Sequence, residues 1–254
     1  MATTVSFMGT RLKLSSRQEV FAAIELATSH PVRIATPNPE FMLLARENPR
    51  FKAALEGMTH HIVDGFGLSV FLKLLTWRSH TAAPTTKYSG VDFMEDLFAC
   101  YSGGEKSFAL LGGDPGAAEA KAQQLRAMYP SIKITSSRHG GKVSEANPVD
   151  SELLRELEAE KPDVLFVGFG APKQELWIAA AKESSIPVMA GVGGSFNFAT
   201  TKKRSPRILQ NLKLEWLWRS LTERGHAKRA WRATVTFSLL ALRDLVGRKT
   251  LPQE

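Results

Sequence analysis

An acid stands at the mouth of an apolar run in HHIVDGFGL, residues 60–68. Ile62 and Val63 lead into Asp64, and the chain then turns through Gly65 and Gly67. A carboxylate at the carboxyl end of a strand, with no cation near it in sequence, can act as a general base toward a substrate hydroxyl within hydrogen-bond reach. Asp64 is equally placed to cap the helix that follows, and both readings stand at this level. GAPKQELW (170–177) puts Lys173, Gln174 and Glu175 in the first turn of a helix. Glu175 complements the helix dipole there and Lys173 opposes it. Lys173 is therefore either a solvated side chain or one placed for an anion. Thr36 and Asn38 close another apolar run in ATPNPE (35–40). Asn38 between two prolines is a turn residue by type, with an amide that could also read a sugar or uracil edge. Asp92 and Asp114 have local explanations, as a first-turn helix acid and a turn residue.

Five such stretches recur: ATPNPE, VDGFG (63–67), LGGDPG (111–116), GFGAPKQE (168–175) and GVGGSF (191–196). Gly112, Gly113, Gly193 and Gly194 let backbone N–H groups approach a phosphate, and helix N-termini add favourable dipole ends. A lone glycine of this kind is explained by tight packing. Five turns meeting at one sheet edge would form a pocket for a nucleotide or other phosphate ligand. GFGAPK and GVGGSF both lack the last glycine of the dinucleotide fingerprint, and no GxxxxGK[ST] loop exists. No Asp-x-Asp pair or HExxH is present to hold a metal. His60 and His61 are adjacent, so on a strand they point to opposite faces, one at an edge and one toward the core. No metal site and no cofactor is expected.

The elements that must position these residues alternate. PVRIAT (31–36), HHIVD (60–64), SFALLGG (107–113), IKITSS (132–137), DVLFVGFG (163–170) and PVMAGVGG (187–194) read as strands. Helical spacing falls at 17–28, 39–57, 67–75, 91–101, 117–129, 149–160 and 172–184, with a capping box in Ser16–Glu19 and an N-cap at Asp150 or Ser151. This order predicts an α/β, Rossmann-like, mostly parallel sheet flanked by helices. Past residue 200 the pattern changes to a basic loop and two helical stretches, ILQNLKLEWLWRSLTE and AKRAWRATVTFSLLALRDLVG. Residues 1–200 then form the catalytic domain and 201–254 a basic helical C-terminal appendage.

The charge follows the same division. The net charge of +8 sits in the tail: Lys202–Glu254 holds 13 Lys/Arg against 4 Asp/Glu, a net of +9, so residues 1–201 net −1. The 254 residues, 43% hydrophobic, suffice for one sizeable core. One cysteine, Cys100, excludes an internal disulfide and fits a reducing, cytoplasmic setting. MATTVSFMGTRLKL lacks the apolar run of a signal peptide. No window approaches the roughly 18 apolar residues of a membrane-spanning helix.

TPNPEF (36–41), VDGFGL (63–68), KYSGVDF (87–93), LLGGDPG (110–116), HGG (139–141), VGFGAPKQELW (167–177), GVGGSFNF (191–198) and KRSPRILQNLKLEWLWR (203–219) run in one order along the chain. In these stretches the sequence resembles the WecG/TagA/CpsF glycosyltransferases, family 26. The resemblance implies transfer of a hexose or N-acetylhexosamine from a UDP-sugar to a polyprenyl-diphosphate-linked glycan, with inversion and without a metal, in surface polysaccharide synthesis. Donors in the family include UDP-N-acetylmannosamine, its uronic acid and UDP-glucose. The family's proposed base falls on Asp64, and its polar pocket residues fall on Thr36, Asn38 and Gln174. Lys87 stands where the family usually has Arg, in a motif that meets the diphosphate; Lys keeps the charge without the bidentate fork. Asn197 stands where the family usually has Asp. A C-terminal appendage in the family attaches to the anionic inner leaflet and closes over the site with an arginine. Arg204, Arg207, Arg219 and Arg224 are candidates here, Arg207 being the one assigned.

The basic tail adds reasons of its own. Lys and Arg near an anionic surface contribute roughly 1 kcal/mol each, and Trp216, Trp218 and Trp231 are interfacial residue types. The expected location is thus cytoplasmic and peripheral at the inner membrane face. Two other classes compete. A nucleic-acid-binding protein would use the basic tail and bind with strong salt dependence, yet it leaves the strand-end turns without a role. Another nucleotide-dependent Rossmann-like enzyme, such as a dehydrogenase, is disfavoured by the missing GxGxxG. The donor sugar, the acceptor and the oligomeric state, a homo-oligomer included, stay open.

Overall fold

The computed structural model describes residues 2–27, 30–200, 206 and 232–247. It opens with two strands that the sequence analysis did not assign. β1 (Thr3–Phe7) and β2 (Thr10–Leu14) pair antiparallel, with Phe7 opposite Thr10. The two turn residues, Met8 and Gly9, both have positive φ (50° and 77°), which matches the twist of a tight hairpin. Val5, Phe7, Leu12 and Leu14 alternate along the two strands and are buried. That alternation is legible in TVSF and TRLKL, but Met at positive φ is an unusual turn residue and hid the hairpin.

The chain continues through α1 (Arg17–Glu25), β3 (Val32–Ala35), α2 (Pro39–Glu47), α3 (Pro49–Glu56) and β4 (His60–His61). Then come α4 (Phe66–Arg78), α5 (Gly90–Cys100), β5 (Ser107–Gly112), α6 (Ala117–Met128) and β6 (Lys133–Arg138). α7 (Ser151–Ala159), β7 (Val164–Gly168), α8 (Lys173–Ala180) and β8 (Val188–Gly191) follow, with a 3₁₀ segment at Gly193–Ala199. The last described helix is α9 (Phe237–Gly247). All eight strands form one sheet in the order β1-β2-β4-β3-β8-β7-β5-β6. Only β1 and β2 pair antiparallel; every other pairing is parallel. The expected α/β, mostly parallel sheet flanked by helices is therefore what the chain forms.

Apolar cores fill both faces of the sheet. Along β7, Val164 and Phe166 join one core while Leu165 and Val167 join the other. Strands buried on both faces read as continuous apolar runs, which is why VLFVG was recognisable. The long helix expected at 39–57 is two helices. Pro49 drives Asn48 out of the helical region (φ −123°, ψ 98°). Asn48 then caps α3, its side-chain oxygen accepting from Phe51 N at 3.0 Å. The capping box at Ser16 and Glu19 is present, and Asp150 is the N-cap of α7. α1 ends at Glu25, short of the expected residue 28.

His60 and His61 diverge as neighbours on a strand must. His60 is half-buried and His61 has no exposed surface. The His61 ring takes the Lys13 amide on Nδ1 (2.9 Å) and donates from Nε2 to the Leu55 carbonyl (2.8 Å). Burial pulls its pKa down to about 4, so it stays neutral. It joins β2 to α3 as a structural residue.

α9 packs on this body. Phe237, Ala241 and Leu245 are buried in the same core as Phe7, Leu72 and Trp177. The Phe237 ring meets Phe71 edge-on at 5.5 Å and Phe7 at 6.2 Å. Asp244 Oδ2 accepts from Met8 N at 3.1 Å, which ties the helix to the hairpin turn.

Candidate active site

Because β2 to β8 run parallel, their carboxyl ends share one edge, and the polar stretches named above gather there. Two groups form. The first surrounds β3 and β4. Past β4 the chain keeps pairing with its neighbour: Ile62 N donates to Ala35 O (2.9 Å) and Asp64 N to Pro37 O (2.8 Å). Asp64 is thus held beside the turn that carries Thr36 and Asn38. α4 is capped by Gly65, in positive φ (85°) and without a side-chain cap bond. The capping reading of Asp64 is therefore not realised. A side chain at Gly65 would press on Pro39 Cδ at 3.1 Å, so that close approach requires glycine.

Lys87 arrives from the other direction. Tyr88 N donates to Val63 O at 2.8 Å, which lays the Lys87 segment alongside Asp64. Tyr88 is anchored in turn, its hydroxyl donating to Asp96 at 2.7 Å, an acid that also pairs with Arg17. Thr36 is buried, with Oγ1 donating to Gly191 O at 3.1 Å, so the end of β3 is tied to the end of β8. Asn38 caps α2, its Oδ1 accepting from Glu40 N and Phe41 N.

The second group surrounds β5, β7 and β8. A cavity of about 600 Å³ is lined there by Gly113, Asp114, His139, Lys142, Lys173 and Asn197, among others. α6 follows β5 on one face of the sheet and α8 follows β7 on the other, as their core memberships require. Adjacent strands whose connections leave in opposite directions define a switch point, the usual ligand crevice of an open α/β sheet. Gly112 (φ 109°) could not carry a side chain: its Cβ would lie 2.8 Å from the Gly168 backbone carbon. Gly113 N donates to Gly168 O at 3.0 Å. Asn197 is buried, and its Oδ1 accepts from Asp114 N at 2.8 Å.

Gln174 joins the turns rather than lying open to solvent. Its Oε1 accepts from Gly170 N (3.1 Å) and Gly193 N (2.8 Å), so one amide bridges the loops after β7 and β8. Its Nε2 donates to Glu175 Oε1 at 2.6 Å. Glu175 has no exposed surface, and burial raises its carboxyl to about 8, well above the ordinary 4.5. Glu175 Oε2 has no partner, as befits a protonated oxygen in an apolar setting. The sequence had marked Glu175 only as a helix-dipole acid; its burial against Gly191 was not visible there. A Cβ at Gly191 would lie 2.7 Å from Gln174 Nε2. Lys173 is exposed at the start of α8 and lines the cavity.

The structure therefore brings Thr36, Asn38, Asp64 and Lys87 together, and separately Gly112, Gly113, Lys173, Gln174, Gly193 and Gly194. β3 and β8 lie between the two groups, three strand spacings or roughly 14 Å from β4 to β7. Arg207, with Arg204, Arg219 and Arg224, lies outside the described residues. His139, Lys142 and Asn197 were not singled out as cavity residues by their types; the glycines around His139 were the available signal. Among the described residues, no group of three or more His, Cys, Asp or Glu could hold a metal ion.

A parallel α/β sheet with a cavity at its switch point and an acid on the same edge defines an α/β ligand-binding enzyme scaffold. The particular family follows from comparison. The chain belongs to the glycosyl transferase WecG/TagA/CpsF family, whose profile matches residues 5–251. It is therefore a glycosyltransferase. It is 30% identical over 193 residues to the N-acetylglucosaminyldiphosphoundecaprenol N-acetyl-beta-D-mannosaminyltransferase of Staphylococcus aureus strain MRSA252, covering 75% of this chain and 72% of that one. The enzyme of the same name from strain NCTC 8325 / PS 47 matches to the same extent.

Proposed function

We propose that this protein transfers a hexose-type sugar, N-acetylmannosamine or a close relative, from UDP to a sugar carried on a polyprenyl diphosphate. Asp64 takes the proton from the acceptor hydroxyl as its oxygen bonds to the anomeric carbon. The bond from that carbon to the UDP oxygen breaks in the same displacement, and UDP leaves with the electron pair. A single displacement inverts the anomeric centre. The departing charge meets Lys87 and the glycine-turn amides at Gly112, Gly113, Gly193 and Gly194, with Lys173 at the cavity rim. Thr36, Asn38 and Gln174 act by holding the turns that shape the pocket. Residues 201–254 form the basic appendage that meets the inner-leaflet surface, and Arg207 reaches the site from it.

One observation carries the reading: Asp64 is pinned by its own amide to the Pro37 carbonyl, beside the Lys87 segment, on the edge that holds the cavity. The named relatives supply the substrate class, a lipid-diphosphate-linked N-acetylglucosamine. A ligand with a diphosphate between two ring systems suits two polar groups separated by two strands. The test incubates the full chain with a panel of UDP-sugars and an acceptor of shortened lipid chain. Asp64→Asn is expected to fold and to bind UDP while turnover falls by about 10²–10⁴, the usual range for loss of a general base. Wild-type turnover in that variant would remove Asp64 from the role.

A further inference from the structure

Two touching helices on one face of the sheet leave apolar side chains uncovered. On α4, Phe66, Val70, Leu74 and Trp77 are exposed, Trp77 to 74%. Their spacing of three and four residues puts them on one stripe. Leu68, Leu72 and Leu75 on the opposite side of α4 are in the core, so this surface helix is apolar on two sides. On α9, Leu239, Leu242 and Val246 are exposed while Phe237, Ala241 and Leu245 are buried. The helices meet where the Phe71 and Phe237 rings pack, and where a Cβ at Gly67 would lie 3.7 Å from Phe237. Seven of the nine exposed large hydrophobic residues among the described residues lie on these two helices. Apolar surface concentrated in this way marks an interaction site.

The charges beside it select the partner. Lys73, Arg78 and Arg243 are exposed on the same two helices. The one acid on them, Asp244, already accepts from Met8 N. An isologous contact with a second copy would set these cations against their own images. An anionic lipid surface satisfies both features: cations attract the headgroups, and Trp, Phe and Leu enter the interface. We propose that the α4–α9 face is where the protein lies on an anionic phospholipid bilayer. The inference rests on the proposed function for its purpose, since α4 begins two residues after Asp64 and a face lying on the bilayer would hold that carboxylate close to a lipid-borne acceptor. It assigns membrane contact to a helix of the catalytic body itself, in addition to the basic tail.

The experiment uses the full chain and vesicles of mixed phosphatidylglycerol and phosphatidylcholine, without donor or acceptor. Val70→Glu/Trp77→Glu is expected to lower the vesicle-bound fraction by about tenfold, because two apolar interface residues become anionic. Leu26→Glu/Met128→Glu, which alters the two exposed apolar residues elsewhere, is expected to leave it unchanged. Both sets are surface positions, and circular dichroism with urea unfolding checks that each variant is folded. A wild-type chain that ignores vesicles, or a folded α4 variant that binds them as well as wild type, overturns the proposal. So does an α4 variant that changes only the sedimentation mass of the protein, which would make the face a contact between copies. Vesicle binding that depends on α4, in a protein that transfers no sugar, would leave the membrane face standing and sink the proposed function instead.

Discussion

Replacing Glu175 by Gln should change how stability depends on pH. In the folded chain burial holds the Glu175 carboxyl at about 8, against an ordinary 4.5. Between those values the unfolded chain gives up this proton and the folded chain keeps it. Folding then takes a proton from solution, and stability falls by about 1.4 kcal/mol for each pH unit. The contribution is fully present below pH 4.5 and lost as pH rises through about 8, in total roughly 5 kcal/mol. Glu175→Gln keeps a side-chain oxygen to accept from Gln174 Nε2 and cannot ionise. It also puts an NH₂ group where Glu175 Oε2 has no partner, a constant cost of about 1–3 kcal/mol. That cost shifts the curve without tilting it, so the slope isolates the buried carboxyl. Urea unfolding of both proteins at pH 5, 6, 7 and 8 measures it. The variant should gain steadily on the wild type across that range, then level. Parallel stability curves would refute the claim that Glu175 is protonated in the folded protein at neutral pH.

Three further substitutions probe the frame of the site. Gly112→Ala places a Cβ at 2.8 Å from the Gly168 backbone at a φ of 109°, and should cost about 2–4 kcal/mol in urea unfolding, with UDP binding weakened in calorimetry. Asn197→Ala removes the acceptor of the Asp114 amide and should cost about 1–3 kcal/mol, whereas Asn197→Asp keeps an acceptor and should restore most of it. Phe237→Ala should cost about 3–5 kcal/mol in a single cooperative unfolding transition, because that ring packs against Phe7 and Phe71 in the main core. A separate early transition in the wild type would show instead that α9 unfolds independently of the body.

Gln174 and Glu175 show how polar residues can serve this site without facing a ligand. One amide oxygen receives an N–H from each of two glycine turns, and the other end of the amide is oriented by a neutral carboxyl. Such a link fixes the spacing of the loops after β7 and β8 at little entropic cost, because every member is buried and packed. The same logic applies at Thr36, whose hydroxyl joins the ends of β3 and β8, and at Asn197, which holds the start of the turn after β5.

The fold class was legible because its signals are local. Buried parallel strands such as VLFVG are continuous apolar runs, and caps such as Ser16–Glu19 and Asp150 act on backbone groups two or three residues away. The helix break at Asn48–Pro49 was also local, yet the apolar spacing across it masked the steric effect of the proline. The hairpin was missed because its turn uses Met8 at a φ that side chains seldom adopt. The sequence likewise marked Asp64, Lys173 and the glycine turns by type and position. What it could not settle depends on contacts between residues far apart in the chain. The strand order, which sets Thr36 beside Gly191 and divides the polar residues into two groups, comes from pairing across the sheet. Whether Asp64 or Gly65 caps α4 follows from backbone geometry there. The neutrality of Glu175 follows from the removal of water around it, and an ionisable group carries no record of its burial in its immediate neighbours. The uncovered stripe on α4 is of the same kind, because VFLKLLTW has apolar residues on every side, and only the packed body decides which of them remain outside.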